Sequence, residues 1–134
     1  MEEALIKRVL PHSIEAEQSV VGAMLMDKEA IMTASEIISG EDFYQTTYGV
    51  VFGAIVELYN EGKPVDLITL QDRLREKDVP EEIQSLEFVR ELLTSVSTSA
   101  NVKYYADIVA EKSMLRKLIR LTEGIANTCY LAKE

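Results

Sequence analysis

Apolar residues recur along most of this chain at steps of three and four, which is the period of an amphipathic α-helix. The pattern predicts five helices before residue 98: the first begins after Ser13, and the others run over 28–39, 47–60, 67–77 and 86–96. Ser13, Asp27 and Asp66 precede three of these segments and are residue types that cap helix N-termini. No segment alternates apolar and polar residues as a half-buried strand does, so the pattern predicts an all-α fold.

The longest periodic segment lies near the end of the chain, over residues 101–131. A helix of about thirty residues is ~45 Å long, whereas a compact chain of this size has a radius of gyration of only ~14 Å. Part of this helix should therefore project from the rest. We predict a flexible leader over 1–12, a compact head of about five to six helices over 13–98, and one long projecting helix over 99–134.

Two surfaces of the predicted helices are candidates for contact with other proteins. On the long helix, apolar residues repeat in a coiled-coil-like stripe, widened by Ile119 and Leu121: Ile108, Leu115, Leu118, Thr122, Ile125 and Cys129. A basic ridge on another side of this helix is made of Lys112, Arg116, Lys117 and Arg120, and the fifth helix carries an apolar pair, Phe88 and Leu92, offset from its main stripe. The alternatives are that the ridge is a solvated helix face and that the offset pair only widens a buried face. The candidate interface residues are Phe88, Leu92, Leu115, Arg116, Lys117, Leu118, Ile119, Arg120 and Ile125.

Three helical glycines could mark places where helices approach closely. Gly22 lies inside the first helix, where glycine costs about 1 kcal/mol relative to alanine. A close approach of a second helix explains such a residue, and a merely tolerated glycine is the alternative. Gly49 and Gly53 are four residues apart in the third helix, a spacing that permits tight packing. Gly124 weakens the long helix and could mark a bend.

The composition narrows the classes of function. A formal net charge of −9 disfavours a grip on DNA or RNA phosphates, which depends on Lys and Arg. The single cysteine, Cys129, and the single histidine, His12, exclude an internal disulfide and a Cys/His zinc site. No apolar run reaches the ~20 residues of a membrane-spanning helix, and the start of the chain lacks the apolar core of a signal peptide. We expect a cytoplasmic protein without direct nucleic-acid or membrane binding.

The residue patterns of common catalytic sites are missing. The only Gly-Lys pair, Gly62-Lys63, is followed by Pro64 and has no glycine five residues before it, so it does not form a P-loop. His12 lies in the leader and is a poor candidate for a general base. A carboxylate metal site around Glu15 and Glu17 is the weakest of the alternatives. The sequence predicts no catalytic residue, no cofactor and no metal.

Four segments together resemble a known family. They are PHSIEAEQSVVGAML over 11–25, EDFY over 41–44, KPVDLITL over 63–70 and SANVKYYADIVAEKSMLRKLIRL over 99–121. In order and spacing they resemble the N-terminal domain of the bacterial replicative DNA helicase, the DnaB family, from Pro11 to about Tyr130. That family often has Gly-Gly where Gln84 and Ser85 stand here, so contacts made by this loop need not carry over.

The resemblance implies an all-α head followed by a helical hairpin. In the family, hairpins of neighbouring subunits pair, and the heads form a collar on a homohexameric ring. The collar binds primase and, in some bacteria, contacts the helicase loader. ATP and Mg²⁺ belong to a C-terminal RecA-like domain, which this sequence does not contain. The long helix matches the first arm of the hairpin, and we expect the chain to be a fragment that lacks most of the second arm.

The function expected from this resemblance is a non-catalytic domain for ring assembly and for docking of primase. The first alternative is a free-standing α-helical adaptor or regulatory protein that shares the head. An enzyme in its own right and direct DNA contact by the basic ridge are further alternatives, and both fit the missing catalytic motifs and the acidic charge less well.

Overall fold

Six α-helices and two short 3₁₀ turns make up the part of the chain that the structure, a computed structural model, describes, residues 9–132. The helices are α1 (Ile14–Met26), α2 (Lys28–Ile37), α3 (Thr46–Asn60), α4 (Leu67–Arg75), α5 (Leu86–Thr94) and α6 (Val102–Leu131), with 3₁₀ turns at Gly40–Asp42 and Glu81–Gln84. The all-α prediction is confirmed, because no strand occurs within these residues. Helix α2 ends earlier than predicted, since Ile38 keeps the apolar period although its backbone is already extended (φ −137°).

The predicted caps form as expected. The backbone N–H of Ala16 donates to Ser13 Oγ at 3.2 Å, and that of Glu29 donates to Asp27 Oδ1 at 3.0 Å. Asp66 exchanges hydrogen bonds with Thr69 in both directions, each 2.9 Å long. Because these side chains satisfy N–H groups that have no partner within the helix, they fix where α1, α2 and α4 begin.

Helix α1 is the centre of the head. It contacts α2, α3, α5 and α6, and the run from Val20 to Met24 is buried on all sides. The side-chain position of Gly22 explains why this residue is a glycine: a Cβ there would lie 2.5 Å from the carbonyl oxygen of Leu92 in α5. The close approach of a second helix is therefore confirmed.

A second close approach joins helix α3 to the 3₁₀ turn. A Cβ on Gly49 would lie 2.5 Å from the carbonyl oxygen of Gly40, whereas a Cβ on Gly53 would meet no atom within 4 Å. The prediction of tight packing is thus correct for Gly49 and wrong for Gly53, because only Gly49 faces a backbone segment. This contact places the turn Gly40–Asp42 beside the start of α3.

Helix α6 is divided into a packed half and an uncovered half. Its buried residues are Val102, Ala106, Val109, Ser113 and Arg116, which lie against α1, α2 and the first 3₁₀ turn. Beyond Arg116 every described residue is exposed except Ile119, which is half-buried. The prediction that part of the long helix projects is confirmed.

The leader predicted over 1–12 falls mostly outside the described residues, which begin at Val9. Its last residues are held by the head rather than free. Arg116 donates to the carbonyl oxygen of Pro11, and the ring of His12 stacks on that of Tyr44 with centroids 4.0 Å apart and planes 7° from parallel. Pro11 and His12 thus contact the head, and the flexibility of the leader stays a prediction.

Candidate protein interface on the long helix

The uncovered half of α6 carries an apolar stripe made of Met114, Leu118, Leu121 and Ile125. These residues are separated by steps of four, three and four, and their exposed fractions are 62%, 51%, 60% and 57%. At about 100° per residue, the stripe lies about 120° around the helix from the buried face. The head therefore cannot cover it, and a contiguous apolar patch of this kind is typical of a site for another protein.

The candidate residues of the long helix divide by exposure. Leu115, Leu118 and Ile125 are exposed, as are Lys117 and Arg120. Ile119 is half-buried and lies about 130° around the helix from the stripe. Met114 belongs to the same stripe and was missed, although its step of four to Leu118 gave the signal. Cys129 lies close to the line of the stripe and is exposed.

Arg116 corrects the interpretation of the basic ridge. Only 4% of this residue is exposed, and its guanidinium donates to the carbonyl oxygens of Pro11 at 2.8 Å and of Asp42 at 2.7 Å. Its Cζ atom also lies 5.6 Å from the centre of the Tyr44 ring. The four-residue spacing placed Arg116 in line with Lys112 and Arg120, but the first 3₁₀ turn packs over it. Arg116 is therefore not free to meet a partner.

Leu92 was also assigned wrongly. It is 1% exposed and belongs to the core, so the alternative of a wider buried face is correct for this residue. Phe88, its neighbour on α5, is half-buried and keeps some surface. The helical period could not distinguish Phe88 from Leu92, because both lie at the border of the buried face of α5. The tight crossing of α5 with α1 at Gly22 decides that Leu92 is the residue that becomes covered.

Asp42 organises the junction between the head and the packed half of α6. Its carboxylate accepts hydrogen bonds from Ser113 Oγ at 2.7 Å and from Lys117 Nζ at 3.2 Å, and its Oδ2 accepts from the backbone N–H of Ser39. Burial alone would raise the pKa of Asp42, but these donors outweigh it and hold the pKa below its ordinary value. No local pattern around Asp42 predicts this role.

Glu17 is a second polar residue that the sequence analysis did not place correctly. It is 1% exposed, and its two carboxylate oxygens accept from the backbone N–H groups of Tyr44 at 2.7 Å and Gln45 at 3.0 Å. It therefore ties α1 to the start of α3. This use of both oxygens fits a structural carboxylate better than the metal ligand considered above, and within the described residues no group of three His, Cys, Asp or Glu residues could hold a metal ion.

Helix α6 is basic, unlike the chain as a whole. Its thirty residues carry five Lys or Arg and three Asp or Glu, although the whole chain has a net charge of −9. Among the helices that the structure describes, none is long and apolar enough to cross a membrane.

A helical head with an uncovered, stripe-bearing helix defines a domain suited to protein association, and comparison with known proteins identifies its family. Residues 9–111 match the family model described as the DnaB-like helicase N terminal domain. The chain belongs to this family, as its sequence motifs suggested.

The relatives support this assignment over the full chain. The chain is 43% identical to the replicative DNA helicase DnaB of Geobacillus stearothermophilus and 39% identical to the replicative DNA helicase DnaC of Bacillus subtilis, each over 134 residues. These alignments cover 100% of the chain and 30% of each relative. The chain therefore spans less than a third of the length of these curated relatives.

Two solved structures share the fold. The crystal structure of the N-terminal domain of DnaB helicase from Mycobacterium tuberculosis matches with a TM-score of 0.87 at 35% identity, covering 92% of this chain and 90% of that one. The N-terminal domain of DnaB helicase from Helicobacter pylori, described together with its interactions with primase, matches with a TM-score of 0.74 at 20% identity, covering 87% and 90%. At that lower identity the second match shows the fold alone.

Proposed function

We propose that this domain assembles the ring of a replicative helicase and docks primase onto it. The observation that carries the proposal is the apolar stripe of Met114, Leu118, Leu121 and Ile125 on the uncovered half of α6. Burial of a leucine-sized side chain contributes about 1.5–3 kcal/mol, so four of them can offset much of the entropy lost on association. The family membership supplies the context in which such a surface is used.

The spacing of the stripe suits a helical partner. Steps of four and three are those of a coiled-coil seam, in which apolar side chains of one helix fit between those of another. We propose that a helical arm of a neighbouring copy covers the stripe. The exposed cations Lys117 and Arg120 lie beside it and would fix register and orientation more than affinity.

The stripe is tested by Leu118→Asp and Leu121→Asp, introduced together. A buried charge at the seam should weaken self-association at least about tenfold, because an unpaired buried carboxylate is costly. Sedimentation velocity of the chain over a range of concentrations measures this change. Ile68→Asp is the matched control, since Ile68 is 63% exposed on α4 and lies outside the stripe. An unchanged association constant in the double variant, with a native circular dichroism spectrum, would remove the stripe from ring assembly.

Primase docking is the second part of the proposal. It is supported by the description of the Helicobacter pylori domain with primase, which concerns that protein, and by the apolar surface that remains on this chain. We assign Phe88 and Ile119 as candidate contacts, since each is half-buried and keeps apolar surface outside the stripe. The helicase loader is a further candidate partner for the same domain.

Ile119→Asp separates primase docking from assembly, because Ile119 is half-buried at the edge of the packed face of α6 and lies about 130° around the helix from the stripe. We expect the retention of purified primase on the immobilised domain to fall at least about tenfold, and Ile68→Asp to leave it unchanged. The loader can be passed over the same surface. Full retention of primase by the Ile119→Asp domain would exclude this edge as the docking site.

ATP hydrolysis and DNA translocation are assigned to other parts of the helicase. We propose that ATP and Mg²⁺ bind outside these 134 residues and that this domain makes no direct contact with nucleic acid. The net charge of −9 and the missing P-loop support both statements. The proposal places the protein in the cytoplasm, where replication takes place.

A further inference from the structure

The last side-chain hydrogen bonds between α6 and the head fall within five residues of the helix. They form what we call the clamp: Ser113, Arg116 and Lys117 on α6, and Pro11, Asp42 and Tyr44 on the head. Ser113 is 3% exposed and Arg116 is 4% exposed, so their hydrogen bonds are shielded from water, whereas the side chain of Lys117 is 70% exposed. The clamp ends where the uncovered half of the helix begins.

The clamp joins three separate parts of the chain. Arg116 uses two different guanidinium nitrogens to bind the carbonyl oxygens of Pro11 and Asp42, and a planar guanidinium fixes the directions of both bonds. Tyr44 adds a ring that contacts His12 by stacking and Arg116 by a cation–π approach. Apolar packing is non-directional, whereas these contacts set an orientation.

A simple lever shows why this location matters. With only the apolar contacts from Val102 to Val109, α6 would be supported over about 10 Å, and about 33 Å would extend beyond the support to Leu131. A sideways displacement of 1 Å at Val109 would then move the end of the helix, Leu131, by about 3 Å. Support as far as Arg116 doubles the supported length to about 21 Å and shortens the free length to about 22 Å, so the same displacement at Arg116 moves Leu131 by about 1 Å.

We propose that the clamp fixes the direction in which the uncovered half of α6 leaves the head, with Arg116 as its main positioning residue. Arg116 itself touches no partner. It acts by holding the stripe at a defined angle, so that a helix of a neighbouring copy can meet it along its length. The proposal rests on the assembly function given above only where it concerns the meeting with a neighbouring copy. The direction of the helix is a property of a single chain and can be measured without that function.

The direction of α6 is measured by pulsed electron–electron double resonance, which gives the distance between nitroxide labels at Asp72→Cys on α4 and Glu123→Cys on α6. Cys129→Ser removes the exposed native cysteine, so that only these two sites are labelled. Both label sites are exposed, and Glu123 precedes Gly124, so a bend at that glycine does not enter the distance. Labelled protein is diluted with unlabelled protein to remove intermolecular pairs. We expect one narrow distance distribution, which Arg116→Met makes at least about twofold broader because the lever lengthens.

Arg120→Met is the matched control. It removes the same type of side chain one turn further along, where the residue is exposed, and it should leave the distribution unchanged. A second variant, Ser113→Ala with Lys117→Met, removes the two hydrogen bonds from α6 to the Asp42 carboxylate and keeps those from Arg116 to the two backbone carbonyls. It should broaden the distribution less than Arg116→Met does, and it decides the question if Arg116→Met does not fold.

A purely stabilising role for the clamp gives a different result. The melting temperature of Arg116→Met would then fall while the distance distribution stays narrow and unshifted, and this outcome would overturn the proposal. The proposed assembly function fails separately. If Arg116→Met broadens the distribution while Leu118→Asp with Leu121→Asp leaves self-association unchanged, the clamp is retained as the positioning device and the stripe is excluded from assembly.

Discussion

Gly22 shows how much a single residue decides in this head. Helix α1 crosses α5 so closely that the space for a side chain at Gly22 is already filled by the backbone oxygen of Leu92. Glu17 acts one turn earlier on the same helix, where its buried carboxylate satisfies two backbone N–H groups that have no other partner at the start of α3. Both residues join segments distant in sequence, and neither can be replaced by its nearest chemical relative without a cost.

Gly22→Ala is expected to destabilise the domain by about 1–3 kcal/mol, the usual cost of overpacking. The gain of about 1 kcal/mol in helix propensity offsets only part of this, because a backbone oxygen cannot move aside as a flexible side chain can. Urea unfolding followed by far-ultraviolet circular dichroism measures the difference. Gly53→Ala is the control, since a Cβ there meets nothing within 4 Å, and it should stabilise the domain by up to about 1 kcal/mol. Equal effects of the two substitutions would contradict this explanation.

At the scale of elements, α6 is one continuous helix whose two halves are stabilised in different ways. Its first half is stabilised by burial of Val102, Ala106 and Val109 against α1 and α2. Its second half has only local helix propensity, and an isolated helix of about fifteen residues is marginal in water. The clamp at Ser113 and Arg116 marks the border between the two.

Hydrogen exchange should reveal this border. Amide protons from about residue 119 onward are expected to exchange at least about tenfold faster than those of residues 106–113, because opening of the second half breaks no contact with the head. Hydrogen–deuterium exchange with mass spectrometry resolves the two halves. Self-association through the stripe should slow exchange in the second half only. Uniform protection along α6 in the dilute, dissociated chain would show that the second half is stabilised by something other than a partner.

For the whole molecule, the free energy of unfolding should depend on pH through three carboxyl groups, those of Asp42, Glu57 and Glu61. The hydrogen bond from Lys77 lowers the pKa of Glu57, and that from Arg73 lowers the pKa of Glu61 to about 2. The pKa of Asp42 is lowered by its hydrogen bonds against the opposing effect of burial. A lowered pKa in the folded state stabilises the fold above the unfolded value of about 4, and this contribution is lost as pH falls toward the folded value.

We therefore expect the free energy of unfolding to be nearly constant from pH 7 to about 5 and to decrease between about pH 5 and 2. Glu57→Gln with Glu61→Gln should make this decrease smaller, because the double variant has lost two of the groups responsible. Glu29→Gln with Glu36→Gln, at exposed positions of α2, is the matched control. Urea unfolding at several pH values measures both. Identical acid profiles for the two double variants would show that these ion pairs do not determine acid stability.

Much of this protein was determined by local sequence. The helices lie within about two residues of the segments that apolar periodicity marks, and Ser13, Asp27 and Asp66 cap them as predicted, because helical period and capping depend on neighbouring residues only. The length of the last helix alone required that part of it project. The four motifs likewise identified the family, since their order and spacing are properties of the linear chain.

Tertiary structure decided which face of each helix is covered. Arg116 and Leu92 follow the same periodic rules as their exposed neighbours, yet they are buried because the first 3₁₀ turn packs over one and α1 crosses at the other. Glu17 and Asp42 look like surface acids until residues 27 to 75 positions away supply their donors. Such partners are brought together only when the head packs. For this reason the helical period predicted Leu118 and Ile125 of the stripe on α6, while the clamp that positions the stripe became visible only in the fold.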